Sequence, residues 1–220
     1  MKKNSRFIFR AIQTSDAKSL FNLSKEAQAG MSNLPKSMKD VDSLIETSLL
    51  SFKNKTIKNK KYIFVIEFEQ EIIGVSGIKT TVGVERPYYS FLLNNNVRHP
   101  YLELIQQQLG PSEIGSLFLS KHFRSKGIGR LLSLSRFLFI KCFNEEFSNI
   151  IIAELRGYLY KNNTSPFWKG LGKKFISMPF KKADKYSMLE NDFITNHFPR
   201  KPIYINLLSK KTQGFMGQVH

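Results

Sequence analysis

The segment 113–130 constrains the fold of this chain more than any other part of the sequence. Residues 113–119, Glu-Ile-Gly-Ser-Leu-Phe-Leu, form a short run with mainly apolar side chains, which predicts a strand. A basic turn follows, and then a helix that starts at Gly127 and Gly129 and runs to Phe143. Because glycine lacks a Cβ atom, a ligand can come close to the backbone at this helix start. The segment therefore predicts a strand, a turn and a helix that bind a ligand between them.

The start of this helix has the chemistry of a phosphate site. Backbone N–H groups and the helix dipole favour an anion at a helix N-terminus, and Arg124, Lys126 and Arg130 add positive charge there. The pattern Arg-x-x-Gly-x-Gly after a strand resembles the pyrophosphate-binding turn of the acyl-CoA-dependent N-acyltransferase (GNAT) superfamily. The alternative is a tight turn that needs glycine for its own geometry and carries a solvated basic helix start.

The charge of the chain does not identify a partner by itself. Lys and Arg number 34 against 17 Asp and Glu, a net charge of +17, which would suit nucleic acid, an anionic surface or an anionic cofactor. Most of these cations are lysines scattered through loops, without zinc-finger spacing or the aromatic pattern of an RNA-binding sheet. We therefore expect solvated surfaces, no nucleic-acid binding and no membrane binding.

Cysteine content and hydropathy indicate a cytoplasmic protein. The single cysteine, Cys142, cannot form an internal disulfide and is expected to be a small core residue. No apolar leader opens the chain, and no apolar run reaches the ~18 residues of a membrane span.

The rest of the pattern predicts one α/β domain over 1–220, a mixed sheet flanked by helices, with 200–220 as a C-terminal tail; the resemblance of the turn implies that this domain is GNAT-like. Residues 97–112 are expected to be an irregular excursion, and 181–201 to be partly helical. The predicted strands are 7–10, 62–68, 72–80, 88–91, 149–154 and 175–178, and the predicted helices follow Ser15, cover 38–52 and begin at Pro166.

From Arg10 onward the sequence resembles the arginine N-succinyltransferase family. The resemblance rests on several blocks in the order that this family has them. They are Glu113 with 117–119, 135–137, 153–157, 165–168, 171–173, 183–184, 202–204 and 217–220.

The resemblance implies transfer of a succinyl group from succinyl-CoA to the α-amine of L-arginine, as in arginine catabolism, by a homo- or hetero-oligomer. It implies that Leu117 contacts succinyl-CoA and that His220 is the proton donor. The loop 28–35 matches the family only loosely, which leaves the acceptor open. Family members also continue beyond the block that ends at His220. We therefore expect this form to lack the C-terminal portion and, with His220 poorly held, to bind CoA with little or no turnover.

Thioester aminolysis needs a neutral amine, donors for the tetrahedral oxyanion and a proton for the departing thiolate. The strand over 113–119 is expected to offer backbone N–H groups to the thioester and the pantetheine arm, through Leu117, Phe118 and Leu119. Glu113 and Glu154 flank apolar strands, where a carboxylate is costly unless it is paired or functional. Each is a candidate base for the amine proton.

Arg136 and Arg156 are candidates for binding the succinyl carboxylate, because a guanidinium binds a carboxylate bidentately. Ion pairs of these arginines with Glu113 or Glu154 are the structural alternative. No Cys/His cluster indicates a metal site. Two further functions stay open at this point: an acyltransferase with another donor or acceptor, and a truncated, non-catalytic module that binds CoA or nucleic acid.

Overall fold

The computed structural model describes residues 6–27, 34–54, 56–57, 59–124 and 127–219. The strands are β1 (Phe7–Ala11), β2 (Lys61–Phe68), β3 (Glu71–Lys79), β4 (Tyr88–Asn94), β5 (Tyr101–Gln107), β6 (Ser112–Leu119), β7 (Ile151–Ile152) and β8 (Ile203–Tyr204). The α-helices are α1 (Ala17–Glu26), α2 (Met38–Lys53), α3 (Ile128–Cys142), α4 (Lys173–Phe175), α5 (Phe180–Leu189), α6 (Phe193–His197) and α7 (Lys210–Gly214).

Contacts within the chain divide it into two compact units. The first comprises Met1–Val82 and Gly110–Glu154, and the second comprises Gly83–Leu109 and Leu155–His220. The predicted mixed α/β class is confirmed. That the whole of 1–220 acts as one domain stays a prediction.

The first unit contains a five-stranded sheet in the order β1-β2-β3-β6-β7. Neighbouring strands are antiparallel except β6 and β7, which are parallel. Helices α1 and α2 cover one face, where Leu20 and Val41 join a core with Ile63, Val65 and Val75. Helix α3 packs on β3 and β6 through Ile128 and Leu132, which cluster with Leu119 and Ile66. The sheet is thus covered by helices on both faces, as the period of its apolar residues predicts.

Helix α2 illustrates how local sequence sets these elements. Ser37 accepts a hydrogen bond from the backbone N–H of Asp40, and the Asp40 side chain accepts one from the N–H of Ser37, which makes a capping box. Val41, Leu44 and Ile45 then lie at helical spacing on the buried face. The helix begins one turn after Pro35 because its first N–H groups are satisfied there.

The second unit contains a three-stranded antiparallel sheet in the order β4-β5-β8. Leu171 and Leu102 belong to one of its cores, and Ile176 and Phe193 to another. A π-helical segment, Trp168–Gly172, precedes α4, and the Trp168 indole Nε1–H donates to the Met178 carbonyl oxygen at 3.1 Å.

Several predictions of local structure are wrong. The expected excursion over 97–112 contains β5, whose sequence alternates between the turn residues Pro100 and Gly110. The predicted strand over 175–178 does not form, because Phe175 ends α4 and the Ile176 N–H bonds the Gly172 carbonyl at 2.9 Å. The strand predicted over 149–154 is only the two-residue β7, and it is half-buried. Cys142, expected in the core, is an exposed free thiol.

Candidate active site

Strand β6 contains a β-bulge at the centre of the predicted site. Gly115 lies opposite Gly77, whereas Phe118 lies opposite Val75, so Ser116 and Leu117 together oppose the single residue Ser76. Ser116 takes φ = 50°, in the left-handed region that a non-glycine residue seldom adopts. A bulge of this kind takes an extra residue out of the hydrogen-bonded ladder and re-aims side chains next to it.

The bulge turns one side chain of the strand outward. Leu117 is 38% exposed, whereas Phe118 and Leu119 beside it are 7% and 8% exposed. Phe118 packs in the α1/α2 core and Leu119 in the α3 core. Of the three residues predicted to line the cofactor, Leu117 is therefore the one with a side chain open to a ligand.

The outer edge of β6 is only partly covered. Strand β7 pairs with it at Ser112 and Glu113, through Ile151 and Ile152. Beyond Glu113, the described part of the chain provides no further strand on that side. An open sheet edge presents backbone donors and acceptors to an extended ligand, and this edge leads from Glu113 toward α3.

Hydrogen bonds of Ser120, Lys121 and Arg124 hold the start of the turn after β6 in place. The Glu26 carboxylate at the end of α1 accepts hydrogen bonds from the Ser120 hydroxyl and the Lys121 backbone N–H, at 3.1 and 2.9 Å. Arg124 Nε donates to the Leu119 carbonyl oxygen at 3.1 Å, and the guanidinium lies 5.7 Å from the centroid of the Phe118 ring. Lys126, a predicted phosphate ligand, lies outside the described residues.

The two glycines at the start of α3, Gly127 and Gly129, differ in whether the fold itself requires glycine at their positions. Gly127 is the N-cap residue with φ = 76°, a conformation that favours glycine. Among the described residues, a Cβ at Gly129 would touch only Leu119 Cδ2, at 3.6 Å, which is ordinary contact. Packing within the described part of the chain therefore does not require glycine at position 129. Arg130, the last predicted cation of this turn, is exposed.

Glu113 is buried, with 3% of its surface exposed, and its Oε2 lies 2.7 Å from Lys79 Nζ. The alternative pairing of Glu113 with Arg136 or Arg156 is therefore wrong. Lys79 lies directly opposite Glu113 in the β3–β6 register, and cross-strand neighbours of opposite charge attract each other. The sequence analysis missed Lys79 because it assigned no pairing between these two strands.

Arg136 is buried inside the first unit and bonds mainly to its own helix. It donates to the Ser133 carbonyl oxygen at 3.2 Å, to Ser133 Oγ at 2.9 Å and to the Gly115 carbonyl oxygen at 3.4 Å. Burial lowers the pKa of its guanidinium. These bonds join α3 to β6 beside the bulge, which supports a positioning role more than direct contact with a substrate.

Arg156 belongs to the second unit. Its Nη2 lies 3.8 Å from Asp184 Oδ2, its guanidinium lies 5.8 Å from the Phe180 ring centroid, and its buried Nε has no hydrogen-bond partner among the described residues. Glu154, the other predicted base, is exposed and is the last residue of the first unit.

The segment before His220 is held in the second unit, although His220 itself lies outside the described residues. Val219 forms an antiparallel bridge with Gly157. The Tyr158 backbone N–H donates to the Gln218 carbonyl oxygen at 3.1 Å, and Phe215 stacks on Tyr158 with ring centroids 5.1 Å apart. The proton-donor role of His220 stays a prediction.

The described residues contain neither a membrane-spanning helix nor a cluster of metal-binding side chains. No helix there is long and apolar enough to span a bilayer. Nor do His, Cys, Asp and Glu side chains within that part of the chain gather into a group that could hold a metal ion.

The family is established by comparison with known sequences. A family model described as arginine N-succinyltransferase beta subunit matches residues 7–220. The chain belongs to this family. Arginine N-succinyltransferase of Photorhabdus laumondii is 36% identical over 227 residues, covering 97% of this chain and 66% of that protein. The enzyme of the same name from Shigella dysenteriae is 32% identical over the same shares of both chains.

A solved structure extends the match within the arginine N-succinyltransferase family to the fold. Arginine/ornithine succinyltransferase subunit AI from Pseudomonas aeruginosa superposes with a TM-score of 0.78 at 25% identity, covering 99% of this chain and 67% of that one. The chain thus spans about two thirds of the length of the curated relatives it matches.

Proposed function

We propose that this chain binds succinyl-CoA along β6 and at the start of α3, and transfers the succinyl group to the α-amine of L-arginine. The observation that carries the proposal is the order of parts along one segment: a bulge at Ser116, an open strand edge, and a helix that begins at Gly127. Membership of the arginine N-succinyltransferase family supports the acyl group and the acceptor.

In this proposal the CoA pyrophosphate lies on the backbone N–H groups at the start of α3, with Arg124, Lys126 and Arg130 around it. The missing side chain of Gly129 supports it, because packing within the protein leaves that glycine unexplained. The pantetheine arm then follows the backbone of β6, beside Phe118 and Leu119, toward the bulge.

The reaction requires one bond to form and one to break. The amine nitrogen attacks the thioester carbon, the carbonyl oxygen becomes an oxyanion, and the C–S bond breaks as the thiolate leaves. We assign the oxyanion to the backbone N–H of Leu117, a residue of the bulge. Glu113 or Glu154 accepts the proton that the amine loses, and His220 protonates the thiolate.

Of the two arginines predicted to bind the succinyl carboxylate, Arg156 keeps that role in the proposal, whereas Arg136 positions β6 beside the bulge through its bonds to Ser133 and Gly115. A cytoplasmic location and an oligomeric assembly belong to the same proposal. The single cysteine supports the location. The word "subunit" in the names of the family model and of the Pseudomonas aeruginosa structure supports the assembly.

The test is release of free thiol from succinyl-CoA with and without L-arginine, with the product identified by mass spectrometry. We expect arginine-dependent release and N-succinylarginine at a rate below the ~1–1000 s⁻¹ typical of enzymes, and a rate within that range would refute the expected loss of turnover in this form. Acetyl-CoA is the donor control. Tight binding of succinyl-CoA without arginine-dependent thiol release would contradict the transferase and favour a CoA-binding module.

A second acceptor, L-ornithine, is included because the matched Pseudomonas aeruginosa structure is named for both amino acids. Ornithine shares the α-amine and α-carboxylate of arginine and differs at the far end of the side chain. The ratio of kcat/KM for the two acceptors decides which of them the site prefers.

A further inference from the structure

Arg136 is a buried cation without an acidic partner. It is only 3% exposed, and none of the ion pairs among the described residues includes it. Two other inward-facing cations of the first unit do have acidic partners, since Lys60 pairs with Glu146 and Arg10 pairs with two carboxylates. Burying a charge is costly unless an opposite charge lies beside it. The positive charge of Arg136 is therefore not neutralised within the described part of the chain.

The hydrogen bonds of Arg136 place this charge beside the bulge. A guanidinium has five N–H donors, and three of them bond the Ser133 carbonyl oxygen, Ser133 Oγ and the Gly115 carbonyl oxygen. All three acceptors are neutral, and the other two donors have no acceptor among the described residues. Gly115, opposite Gly77, is the last residue of β6 in register before the bulge. The guanidinium thus reaches the strand where its regular pairing stops.

A second polar group on this side of the sheet also lacks a partner. Ser76, the residue of β3 that opposes Ser116 and Leu117, is fully buried, and its Oγ has no hydrogen-bond partner among the described residues. On β2 it lies opposite Phe64, which clusters with Phe139 of α3. Side chains directly opposite each other point to the same face of a sheet. The hydroxyl therefore lies on the α3 side of the bulge, the side from which the guanidinium approaches.

The charge of Arg136 lies close to the oxyanion of the proposed reaction. Its Nη1 is 3.4 Å from the Gly115 carbonyl oxygen, and Leu117, whose N–H is assigned to the oxyanion, follows two residues later, roughly 7 Å along an extended strand. The separation between guanidinium and oxyanion is therefore on the order of 10 Å. Because the guanidinium is buried, water screens its charge less than it would at the surface.

We infer that Arg136 is a positioning residue for the thioester carbonyl: it holds the bulge through Gly115, and its unneutralised charge stabilises the oxyanion without touching it. The inference rests on the proposed function, in which the carbonyl oxygen gains a negative charge when the amine nitrogen attacks and loses it when the C–S bond breaks. A fixed positive charge attracts the oxyanion more strongly than the neutral thioester. It therefore lowers the barrier with little effect on substrate binding.

The test measures how strongly the thioester carbonyl of bound succinyl-CoA is polarised. With an isotope label at the thioester carbon, infrared difference spectroscopy gives the C=O stretching frequency of the bound molecule. We expect this frequency to fall on binding to the wild-type chain, because hydrogen bonding and a nearby positive charge draw electrons toward the oxygen. Arg136→Gln keeps an N–H donor for the Gly115 carbonyl but removes the charge. The downward shift should become smaller in this variant, while the affinity for succinyl-CoA, measured by calorimetry, is unchanged.

The rate of acyl transfer gives a second measurement. The single-turnover rate of arginine-dependent thiol release should fall about tenfold in Arg136→Gln, the effect of a unit charge at about 10 Å with an effective dielectric constant near 20. A purely structural role would instead weaken succinyl-CoA binding together with the rate.

Two further variants separate charge from packing. Arg136→Lys keeps the positive charge and should retain the shift. Ser133→Ala removes one acceptor of the guanidinium but leaves its charge and its bond to Gly115, so it should also retain the shift. Circular dichroism and thermal unfolding establish that each variant is folded. If Arg136→Gln does not fold, the neutral variant Arg136→Met takes its place.

Other outcomes would overturn the inference. It is wrong if Arg136→Gln shifts the carbonyl frequency as much as the wild type does, or if Arg136→Lys loses as much of the shift as Arg136→Gln. It is also wrong if the wild-type chain binds succinyl-CoA with the carbonyl frequency that the molecule has in water. Succinyl transfer can still hold in these cases. If the wild-type chain binds no succinyl-CoA, the proposed function itself falls, and the inference falls with it.

Discussion

Glu26 and Lys121 connect the end of α1 to the turn that follows β6, through a 2.9 Å hydrogen bond from the Lys121 backbone N–H to the Glu26 carboxylate. Burial alone would raise the pKa of Glu26. The hydrogen bonds from Lys121 and Ser120 and the positive charges of His122 and Lys121 outweigh it, so the pKa lies below its ordinary value of 4.5. A carboxylate at the end of α1 thus helps to fix the start of the turn that follows β6.

The first prediction concerns the pH dependence of this contact. Because the pKa of Glu26 is lower in the folded chain than in the unfolded one, its stabilisation is complete above pH 4.5 and is lost as the pH falls through the folded pKa. Glu26→Gln should lower Tm at pH 7, and the difference from wild type should shrink below pH 4.5. Glu46→Gln, an exposed change on α2, serves as the control. A Tm difference that is constant with pH would exclude an ionic contribution.

The second prediction separates ligand binding from folding at the start of α3. Gly129→Ala places a Cβ in ordinary contact with Leu119 and should raise stability by up to about 1 kcal/mol, because alanine favours a helix over glycine. Succinyl-CoA affinity should nevertheless fall at least about tenfold, as the methyl group blocks the approach of phosphate. Thermal unfolding and calorimetry measure the two effects.

Leu138→Ala, at an exposed position farther along α3, is the control and should leave affinity unchanged. Gly127 is less informative, because any side chain there is strained by the positive φ. If Gly129→Ala bound succinyl-CoA with unchanged affinity, the proposal that the pyrophosphate binds at this helix start would be wrong.

The third prediction concerns a buried charge in the first unit. Lys60 Nζ lies 2.7 Å from Glu146 Oε1, with the lysine side chain only 6% exposed, and the Tyr62 hydroxyl donates to Glu146 Oε2. Burial, followed by the bond to Glu146, raises the pKa of Tyr62. Glu146→Ala strands a buried ammonium and should lower the free energy of unfolding by about 3 kcal/mol. Denaturant titration measures this, and the exposed neighbour variant Glu145→Ala should cost less than about 0.5 kcal/mol.

The fourth prediction tests the packing of the second unit. A Cβ at Gly170 would collide with Thr212, which is buried at 5% exposure. Gly170→Ala should therefore destabilise the protein by about 1–3 kcal/mol through overpacking. Gly214→Ala, where a Cβ meets no atom of the described residues within 4 Å, should be neutral or slightly stabilising. Equal denaturation midpoints for the two variants would contradict the placement of Thr212.

The sequence predicted the elements that have strong local signals. The apolar run that ends at Leu119 and the glycines before α3 predict the central strand and helix, and the helical spacing of Val41, Leu44 and Ile45 predicts α2. The sequence analysis missed β5 because a short run with turn residues on both sides resembles a loop. A local pattern therefore predicts an element only when it also indicates where that element begins and ends.

The geometry of the site was less predictable, since it depends on pairings between distant residues. Lys79 becomes the partner of Glu113 only through the β3–β6 register. The bulge could not be predicted from the sequence, because its residue with a positive φ is Ser116 and not a glycine. Arg136 looked like a substrate ligand, and only the packing of α3 reveals its bonds to Ser133 and Gly115.

The bulge also means that this strand is one residue longer than its core requires. Phe118 faces the same side as Gly115 and Glu113, and Leu119 the same side as Ile114, although simple alternation would reverse both. Deleting Ser116 would therefore keep every core side chain on its present side, relieve a strained φ and close the ladder. Such a chain should be at least as stable as the wild type but should lose its affinity for succinyl-CoA. Binding of succinyl-CoA would then depend on the length of one strand more than on any single side chain.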